Sequence, residues 1–287
     1  MNQPVHNPGH PSLHALTIPL SRNQQSIDHW ISILRLSPTG KALVGYAEKH
    51  GVRIRIDRQG WQYAYYEADS RRIGLKPNRP DAEIIGNLAH ELRHAWQHAS
   101  GQLTSLTDTP MDFLLRTRAT EADAEAVAIL VCAELAEAGH PQYLEARLKG
   151  EMSDIAQAFL KGGKSGRISG LRAAYDQWFR NGRRRSSYLG YTLEWLEDNA
   201  DAIAKTTSRH GFRPFNAGEI MKLGALPGGH NYLAESAGAP LDTALYKDGL
   251  TPAQQRKIDG IAQEIEGKRS RQHPRHIGPH PAPSLRM

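Results

Sequence analysis

The sequence contains one cysteine and no long apolar run. A single cysteine, Cys132, cannot form a disulfide within the chain, which suits a reducing compartment or a fold without covalent cross-links. The longest unbroken apolar run covers residues 126–133, whereas a membrane-spanning helix needs about 20 such residues. The apolar stretch at residues 15–20 is short and carries a threonine and a proline, unlike a cleaved signal peptide. We therefore expect no membrane span and a cytoplasmic protein, or alternatively an effector secreted without a cleavable signal peptide.

Acidic residues are absent from two segments, and these segments carry the basic excess of the chain. The formal net charge is +6, and residues 180–185 together with residues 268–287 supply nine positive charges. A basic patch can bind nucleic acid. No aromatic residue is interleaved with these arginines, as a stacking platform for bases would require, so a solvated loop and tail are favoured. A nucleic-acid partner stays open as an alternative, and the sequence does not indicate an oligomeric state.

The apolar pattern predicts a helix, then a small sheet, then several helices. Alternation with period two predicts strands at residues 52–57, 61–67 and 72–75, which we interpret as a small antiparallel meander. Helical spacing of apolar residues predicts helices at residues 39–50, 81–100 with Asp81 as N-cap, 112–138, 141–161, 171–180, 187–207 and 251–266. This order indicates an α+β fold rather than a doubly wound sheet.

Composition divides the chain into four segments. Residues 1–25 and 268–287 have too little apolar area to offset the entropy of ordering, so we expect disordered tails there. We expect residues 26–140 to form the core domain, which holds the motif described next. Residues 141–267 are expected to form a helical C-terminal subdomain that packs on this core.

An H-E-x-x-H sequence lies inside the predicted helix at residues 81–100. His90 and His94 are four residues apart, so both imidazoles stand on one helix face and can reach one cation. Glu91 projects beside them, toward a water on that cation. The flanking apolar residues anchor the helix against the interior, so that the histidines face a cleft. This pattern predicts a catalytic zinc site, which takes three protein ligands and keeps a fourth position for water.

The next helix offers acidic residues for the third ligand. Glu121 and Glu125 are also four residues apart, and the small alanines between them allow two helices to approach closely. We assign Glu121 as the third ligand and Glu125 as the acceptor for the second nitrogen of a ligand histidine, although these roles could be reversed. Asp123 lies about 200° around the helix from Glu121 and is the weaker candidate. His98 lies about 12 Å along the helix from His90, too far to share an ion with it.

The motif and the acidic helix together resemble the gluzincin-like zinc metallopeptidases. The motif helix runs on as HELRHAWQ, as in bacterial metallopeptidase domains of unassigned physiological role, and the resemblance covers roughly residues 39–138. It implies a zincin-like fold and a Zn²⁺ ion held by the two histidines and Glu121, with Glu125 supporting a ligand histidine. Gln97 and Ser100 stand where the metzincin branch has a glycine and a third histidine, which excludes that branch.

The predicted function is zinc-dependent hydrolysis of peptide bonds in a protein or peptide substrate. Glu91 takes a proton from the attacking water and returns it to the leaving amine. The resemblance also implies an edge strand that pairs with an extended substrate, for which residues 72–76 are the candidate, and an ordinary protected edge is an equal alternative. The sequence does not identify a second donor to the oxyanion, and its candidates are Tyr188, Tyr191, His210, Arg213 and residues 230–232.

Three other interpretations stay open at this point. The protein could be a non-proteolytic zinc amidase or related hydrolase, because the same ion and base attack any activated carbonyl. It could be a nucleic-acid-binding protein with an inert zincin-like core, because of the basic segments. The H-E-x-x-H sequence could also be a coincidence on a buried helix.

Overall fold

The structure is a computed structural model that describes residues 22–59, 62–235 and 249–272. Helices dominate these ranges and accompany one small sheet, which confirms the predicted α+β class. In chain order the elements are α1 (Arg22–Leu34), α2 (Pro38–Lys49), β1 (Arg53–Ile56), β2 (Ala64–Glu67), β3 (Arg72–Leu75), α3 (Asp81–Ala99), α4 (Pro110–Glu137), α5 (Gln142–Lys149), α6 (Ser153–Gly163), α7 (Arg167–Trp178), α8 (Gly182–Asp198), α9 (Ala200–His210), α10 (Ala217–Leu223), α11 (Tyr232–Glu235) and α12 (Pro252–Gln272).

The three strands form a mixed sheet in the order β1-β3-β2. β2 pairs antiparallel with β3, whereas β1 pairs with β3 in parallel, so the predicted antiparallel meander is wrong for β1. Three consecutive residues of β3 are buried, and it takes the central position, while β1 alternates between exposed and half-buried residues. An alternating pattern predicts a strand, but it does not specify the neighbour of that strand or its direction.

The segment that was the candidate edge strand for a substrate does not lie at an edge. β3 occupies most of residues 72–76 and is hydrogen-bonded to a strand on both sides, so its backbone offers no open edge. That expectation is therefore wrong. The edges of the sheet are β1 and β2, and β2 packs against α3, the helix that carries the H-E-x-x-H sequence.

The two long helices that follow the sheet begin close to the predicted positions. α3 has Pro80 rather than the predicted Asp81 as its N-cap residue, and the Asp81 carboxylate accepts a hydrogen bond from Trp30 Nε1 at 2.8 Å. α4 begins at Pro110, two residues before the predicted start, because the Thr109 side chain caps it. The glycine after each helix has a positive φ, as expected for a residue that ends a helix.

Helices extend into both segments for which the sequence predicts disordered tails. α1 includes residues 22–25, and α12 reaches Gln272, so the prediction is wrong for these residues. Lys268 of α12 pairs with Asp201 at 2.8 Å, a long-range contact that charge composition alone does not reveal. Residues 1–21 and 273–287 lie outside the described part of the chain.

The C-terminal half is helical, as the sequence predicts, but two of the predicted helices are each divided in two. The predicted helix at residues 187–207 is divided into α8 and α9 at Asn199. The predicted helix at residues 141–161 is likewise divided into α5 and α6. Apolar periodicity continues across such short breaks, so it does not reveal them. The division of the chain into a core and a C-terminal subdomain stays a prediction.

α4 passes through the centre of the described structure and takes part in three hydrophobic clusters. Leu130 packs in the cluster that contains residues of α6 and α7, and Val131 packs in the cluster that contains residues of α2 and α3. Leu114 packs in the cluster that contains residues of α8, α9 and α12. A helix packed from several sides cannot shift without disturbing every cluster. The carboxylates of α4 are therefore held firmly relative to α3.

Candidate metal centre

α3 presents the two histidines of the H-E-x-x-H sequence side by side. The rings of His90 and His94 meet edge to face with their centroids 4.6 Å apart. Their Nε2 atoms lie 3.0 Å apart. The opposite face of α3, which includes Ile85, Leu88 and Leu92, is buried in the core. The helix is therefore fixed in rotation, and both imidazoles point toward α4.

α4 brings the Glu121 carboxylate against both histidines. Glu121 Oε2 lies 3.3 Å from His90 Nε2, and Glu121 Oε1 lies 3.3 Å from His94 Nε2. These three side chains form a cluster that could hold a metal ion. A tetrahedral zinc ion with bonds of about 2.0–2.1 Å holds its ligand atoms about 3.3 Å apart, close to the observed spacing. Two imidazoles and one carboxylate are also a donor set that catalytic zinc accepts.

The other nitrogen of each imidazole faces a hydrogen-bond acceptor. His90 Nδ1 lies 3.0 Å from Glu125 Oε2, and His94 Nδ1 lies 2.8 Å from Gln97 Oε1. A hydrogen on each Nδ1 satisfies both contacts and directs the lone pairs of the two Nε2 atoms toward each other and toward Glu121. Acceptors this close repel one another unless positive charge lies between them. The arrangement therefore fits a cation at the point where the three side chains meet.

The members of the cluster shift one another's pKa values in opposite directions. Burial lowers the pKa of His90, but its hydrogen bonds to Glu121 and Glu125 outweigh burial and hold that pKa well above its usual value. For His94, burial lowers the pKa, and the negative charge of Glu121 more than reverses this effect. Burial raises the pKa of Glu121, but the two histidines outweigh it and hold that pKa far below its usual range. Glu121 is therefore ionised and available as an anionic ligand.

Glu91 lies beside the histidines and is 7% exposed. Burial raises the pKa of its carboxyl, whereas the charges of His90 and His94 lower it, and the net shift is upward. Within the described part of the chain, no group donates a hydrogen bond to this carboxylate. Glu91 is thus a buried acid next to the candidate metal cluster.

Arg147, which the sequence analysis did not identify, holds the Glu125 carboxylate in place. Arg147 of α5 donates to Glu125 Oε1 at 3.0 Å and to Asn87 Oδ1 at 3.3 Å. Burial raises the pKa of Glu125, but the charge of Arg147 and the hydrogen bond from His90 lower it to about 2. Arg147 fits there because Gly86 has no side chain, since a Cβ atom at Gly86 would lie 2.4 Å from Arg147 Nε. A glycine on a buried helix face was the one sequence signal for this contact.

Of the residues considered as oxyanion donors, Tyr188 lies at the cluster. Its hydroxyl donates to Glu121 Oε2 at 2.8 Å, and its ring packs against Trp178. Burial raises the pKa of Tyr188, and the charge of Glu121 raises it further, to well above its usual value of 10. The hydroxyl therefore keeps its proton. The other candidates are either exposed or bonded elsewhere: Tyr191, His210 and His230 are exposed, Arg213 contacts Asp108, Asn231 contacts Met221, and Tyr232 contacts Asp123.

Asp123, the weaker ligand candidate, is not part of the three-residue cluster. Its carboxylate is fully buried and accepts two hydrogen bonds from Arg93, at 2.7 and 3.1 Å. Tyr232 and Gln97 donate to the same carboxylate at 2.8 and 2.7 Å. Both oxygens of this carboxylate thus accept hydrogen bonds from protein side chains. One of these donors, Gln97, also contacts His94.

His98 and the basic run at residues 180–185 make contacts away from the three-residue cluster. His98 Nδ1 lies 2.8 Å from the Tyr66 hydroxyl, on the side of the sheet. The basic run at residues 180–185 begins α8, and Arg184 within it is buried and donates to Asp154 Oδ1 at 2.8 Å. The expectation of a solvated loop is therefore wrong for Arg184, because a carboxylate of α6 faces it. Within the three described ranges, no helix is both long enough and apolar enough to cross a membrane.

The fold and the cluster define an α+β protein with a candidate metal centre built from two facing helices. The chain belongs to the family described as "Putative metallopeptidase family (DUF6782)", whose model matches residues 14–234. The resemblance to metallopeptidase domains, which the sequence indicates for residues 39–138, is thereby confirmed and extends over a longer part of the chain. A search of curated proteins and a search of solved structures find no match.

Proposed function

We propose that the protein is a zinc metallopeptidase that hydrolyses peptide bonds, with zinc held by His90, His94 and Glu121. The observation that carries the proposal is the convergence of two Nε2 atoms and both Glu121 oxygens at separations of 3.0 to 3.3 Å. Membership of a metallopeptidase family supports it independently. Zinc bound there supplies a Lewis acid that acidifies a water and polarises the scissile carbonyl.

Glu91 acts as the general base in this proposal. Its carboxylate is next to the ligand histidines, is almost fully buried and has no hydrogen-bond donor in the described residues. A carboxylate in this position can accept a proton from the attacking water and deliver it to the leaving amine. Burial raises its pKa and so makes it a stronger base than an exposed glutamate.

Tyr188 is the second donor to the developing oxyanion in this proposal. Its hydroxyl keeps its proton and lies 2.8 Å from Glu121 Oε2, at the edge of the metal cluster. A small rotation of this hydroxyl redirects its hydrogen from Glu121 to the oxygen of a bound substrate. Donors of this kind stabilise a negative charge that appears only in the transition state.

The proposed substrate is a protein or peptide. A small-amide substrate is the alternative that the same ion and base allow, and assays with denatured proteins, short peptides and small amides separate the two. A reducing compartment, the cytoplasm, suits the one cysteine of the chain, which is a free, buried thiol.

The test is to measure metal content and hydrolysis on the same purified samples. Wild type should carry about one zinc ion per chain and cleave denatured protein. Glu91→Gln should retain the zinc and lose about 10²-fold to 10⁴-fold in rate, because only the proton acceptor is changed. His94→Ala should lose both zinc and activity.

His98→Ala is the matched control, since His98 lies one turn further along α3 and contacts Tyr66 instead of the cluster. This variant should keep both zinc and activity. A wild-type rate of cleavage by Glu91→Gln, or a wild type that takes up no zinc, contradicts the proposed function.

A further inference from the structure

A buried chain of hydrogen bonds leads from His94 into the protein interior. Gln97 Oε1 lies 2.8 Å from His94 Nδ1. The amide nitrogen of Gln97 donates to Asp123 Oδ2 at 2.7 Å and to the backbone oxygen of Thr120 at 2.9 Å. Both Gln97 and Asp123 have no exposed surface. Buried amides and carboxylates are stable only when all their contacts are satisfied, so these contacts constrain one another.

The contacts fix the direction of each hydrogen in this chain. The Asp123 carboxylate and the Thr120 carbonyl are acceptors, so the end of the Gln97 amide that faces them must be its NH₂ group. Its oxygen must then face His94. An amide oxygen cannot donate, so His94 Nδ1 must carry the hydrogen. In the neutral imidazole, the lone pair then lies on His94 Nε2, the atom that faces Glu121 Oε1 at 3.3 Å.

Asp123 is itself held from its other side. Arg93 Nε and Nη2 donate to its two oxygens at 2.7 and 3.1 Å, and the Tyr232 hydroxyl donates at 2.8 Å. Arg93 Nη2 also donates to the backbone oxygens of Leu223 and Ala225, at 2.5 and 2.9 Å. The segment from residue 223 to residue 232 is thereby connected to the orientation of a side chain more than 120 residues earlier.

The two histidines are supported in different ways. His90 donates to a carboxylate, Glu125, which is held by Arg147. The Nδ1 side of His94 faces a neutral amide, and the carboxylate on that side, Asp123, stands one step further away. A neutral acceptor fixes the orientation of an imidazole without adding a second negative charge next to it. The Gln97 amide therefore orients the His94 ring without changing its charge.

We propose that Gln97 and Asp123 are positioning residues, which hold His94 as the Nδ1-protonated tautomer with Nε2 prepared for the metal. This inference rests on the proposed function for the identity of the ion. Residues 223–232 take part through Arg93 and Tyr232, so the C-terminal half of the chain contributes to the metal centre. A purely structural role for the same network would affect folding but not the metal affinity of the folded protein.

The first experiment measures zinc affinity by competition with a chelator, together with the absorption spectrum of the Co²⁺-substituted protein. Gln97→Met keeps the size of the side chain but removes the acceptor, so we expect zinc to bind about 10-fold to 100-fold more weakly. Affinity is determined only on protein that unfolds cooperatively, which separates weak binding from misfolding. A wild-type affinity and Co²⁺ spectrum for Gln97→Met overturn the inference.

Gln97→Glu provides a rescue by the conservative change. Two carboxyl groups in contact share one proton, so the new group can donate that proton to Asp123 and still present an oxygen to His94. We expect its zinc affinity to be at least about fivefold higher than that of Gln97→Met. Equal weakening by both variants contradicts a positional role for the acceptor.

Asp108→Asn is the matched control for disturbance of a buried ion pair. Asp108 is fully buried and pairs with Arg116 and Arg213, without contact to the cluster. It should lower stability about as much as Asp123→Asn does, but only the latter should weaken zinc binding. Loss of zinc affinity in the Asp108 variant as well would show that the effect is not specific to the network.

A measurement without metal separates this inference from the proposed function. ¹⁵N spectra of the histidines, recorded at a pH where the imidazoles are neutral, should show the Nδ1–H tautomer for His94 in wild type and a mixture of tautomers in Gln97→Met. If wild type binds no zinc, the proposed function fails, and the tautomer alone decides the positional role. A mixture of tautomers in wild type rejects it.

Discussion

The Tyr188 hydroxyl donates a hydrogen bond to Glu121 Oε2 at 2.8 Å. Tyr188 lies on α8 and Glu121 lies on α4, so this contact brings a third helix to the cluster formed by α3 and α4. The hydroxyl is buried, and its pKa is raised well above the usual value, so it acts as a donor. Tyr188 thus contacts the proposed ligand Glu121 and is placed to act as the proposed donor to the oxyanion.

The Tyr188→Phe variant should separate catalysis from metal binding. Loss of a donor that acts mainly in the transition state should lower kcat/KM about 10²-fold to 10³-fold, with zinc content unchanged. Tyr191→Phe is the control, because Tyr191 lies one turn further along α8 and is 54% exposed. Similar losses of activity in both variants, or loss of zinc from Tyr188→Phe, would argue against an oxyanion role.

The Arg147→Ala variant should weaken the support of His90. It leaves the buried Glu125 carboxylate without its cationic partner, and breaking such a pair costs about 3–5 kcal/mol of unfolding free energy. Zinc affinity should fall about 10-fold, because Glu125 no longer holds His90 firmly. Denaturation and chelator competition measure the two effects. Lys149→Ala, which removes an exposed pair on the same helix, should change stability by less than about 1 kcal/mol.

Gly86→Ala should have an effect opposite to that of an ordinary glycine-to-alanine change in a helix. A Cβ atom at Gly86 would lie 2.4 Å from Arg147 Nε, so the guanidinium must move away from Glu125. We expect lower stability and weaker zinc binding. Gly45→Ala in α2 is the control, because no atom lies within 4 Å of its added Cβ. It should stabilise the protein by about 0.5–1 kcal/mol. A stabilised Gly86→Ala variant would contradict the steric argument.

Arg184→Ala should lower the free energy of unfolding by about 1–3 kcal/mol at neutral pH, because Arg184 is buried against Asp154. Burial raises the pKa of Asp154, but Arg184 outweighs it, and the net pKa lies below the usual 3.8. A lowered carboxyl pKa stabilises the fold above pH 4 and loses this effect as the pH falls through the folded-state pKa.

The stability difference between wild type and Arg184→Ala should therefore shrink below pH 4, as measured by denaturation at a series of pH values. Arg183→Ala, an exposed neighbour in the same basic run, should stay within about 0.5 kcal/mol of wild type. A difference that is constant from pH 7 to pH 3 would mean that the pair with Asp154 does not account for the effect of Arg184.

Local helix geometry explains which parts of the candidate site the sequence could predict. Residues four positions apart share a helix face, which is enough to place His90 beside His94 and Glu121 beside Glu125. α3 is long and amphipathic, and α4 is long and ends at a glycine, so their positions are predicted within a few residues. Residue periodicity likewise predicts the positions of the strands but not their pairing. The pairing depends on the path of the segments that connect the strands.

Contacts between distant helices could not be predicted in this way. Tyr188 meets Glu121 across 67 residues, and Arg147 meets Glu125 across 22. The amphipathic patterns of α8 and α5 do not indicate either partner. The sequence distinguishes Gln97 only from the glycine that metzincins have at this position, which does not reveal its contact with His94. The direction of its amide follows from the contact with Asp123, whose carboxylate faces away from the cluster and is fully buried. Side-chain pairing of this kind follows from tertiary packing alone.

Three acids on alternate positions of α4 make different contacts: Glu121 faces the Nε2 atoms of His90 and His94, Asp123 pairs with Arg93, and Glu125 faces His90 Nδ1. Deleting the alanine between the first two would turn them relative to each other by about 100°, so that ligand and supports could no longer be satisfied together. Functional variants of this protein should therefore keep the spacing of the three acids unchanged.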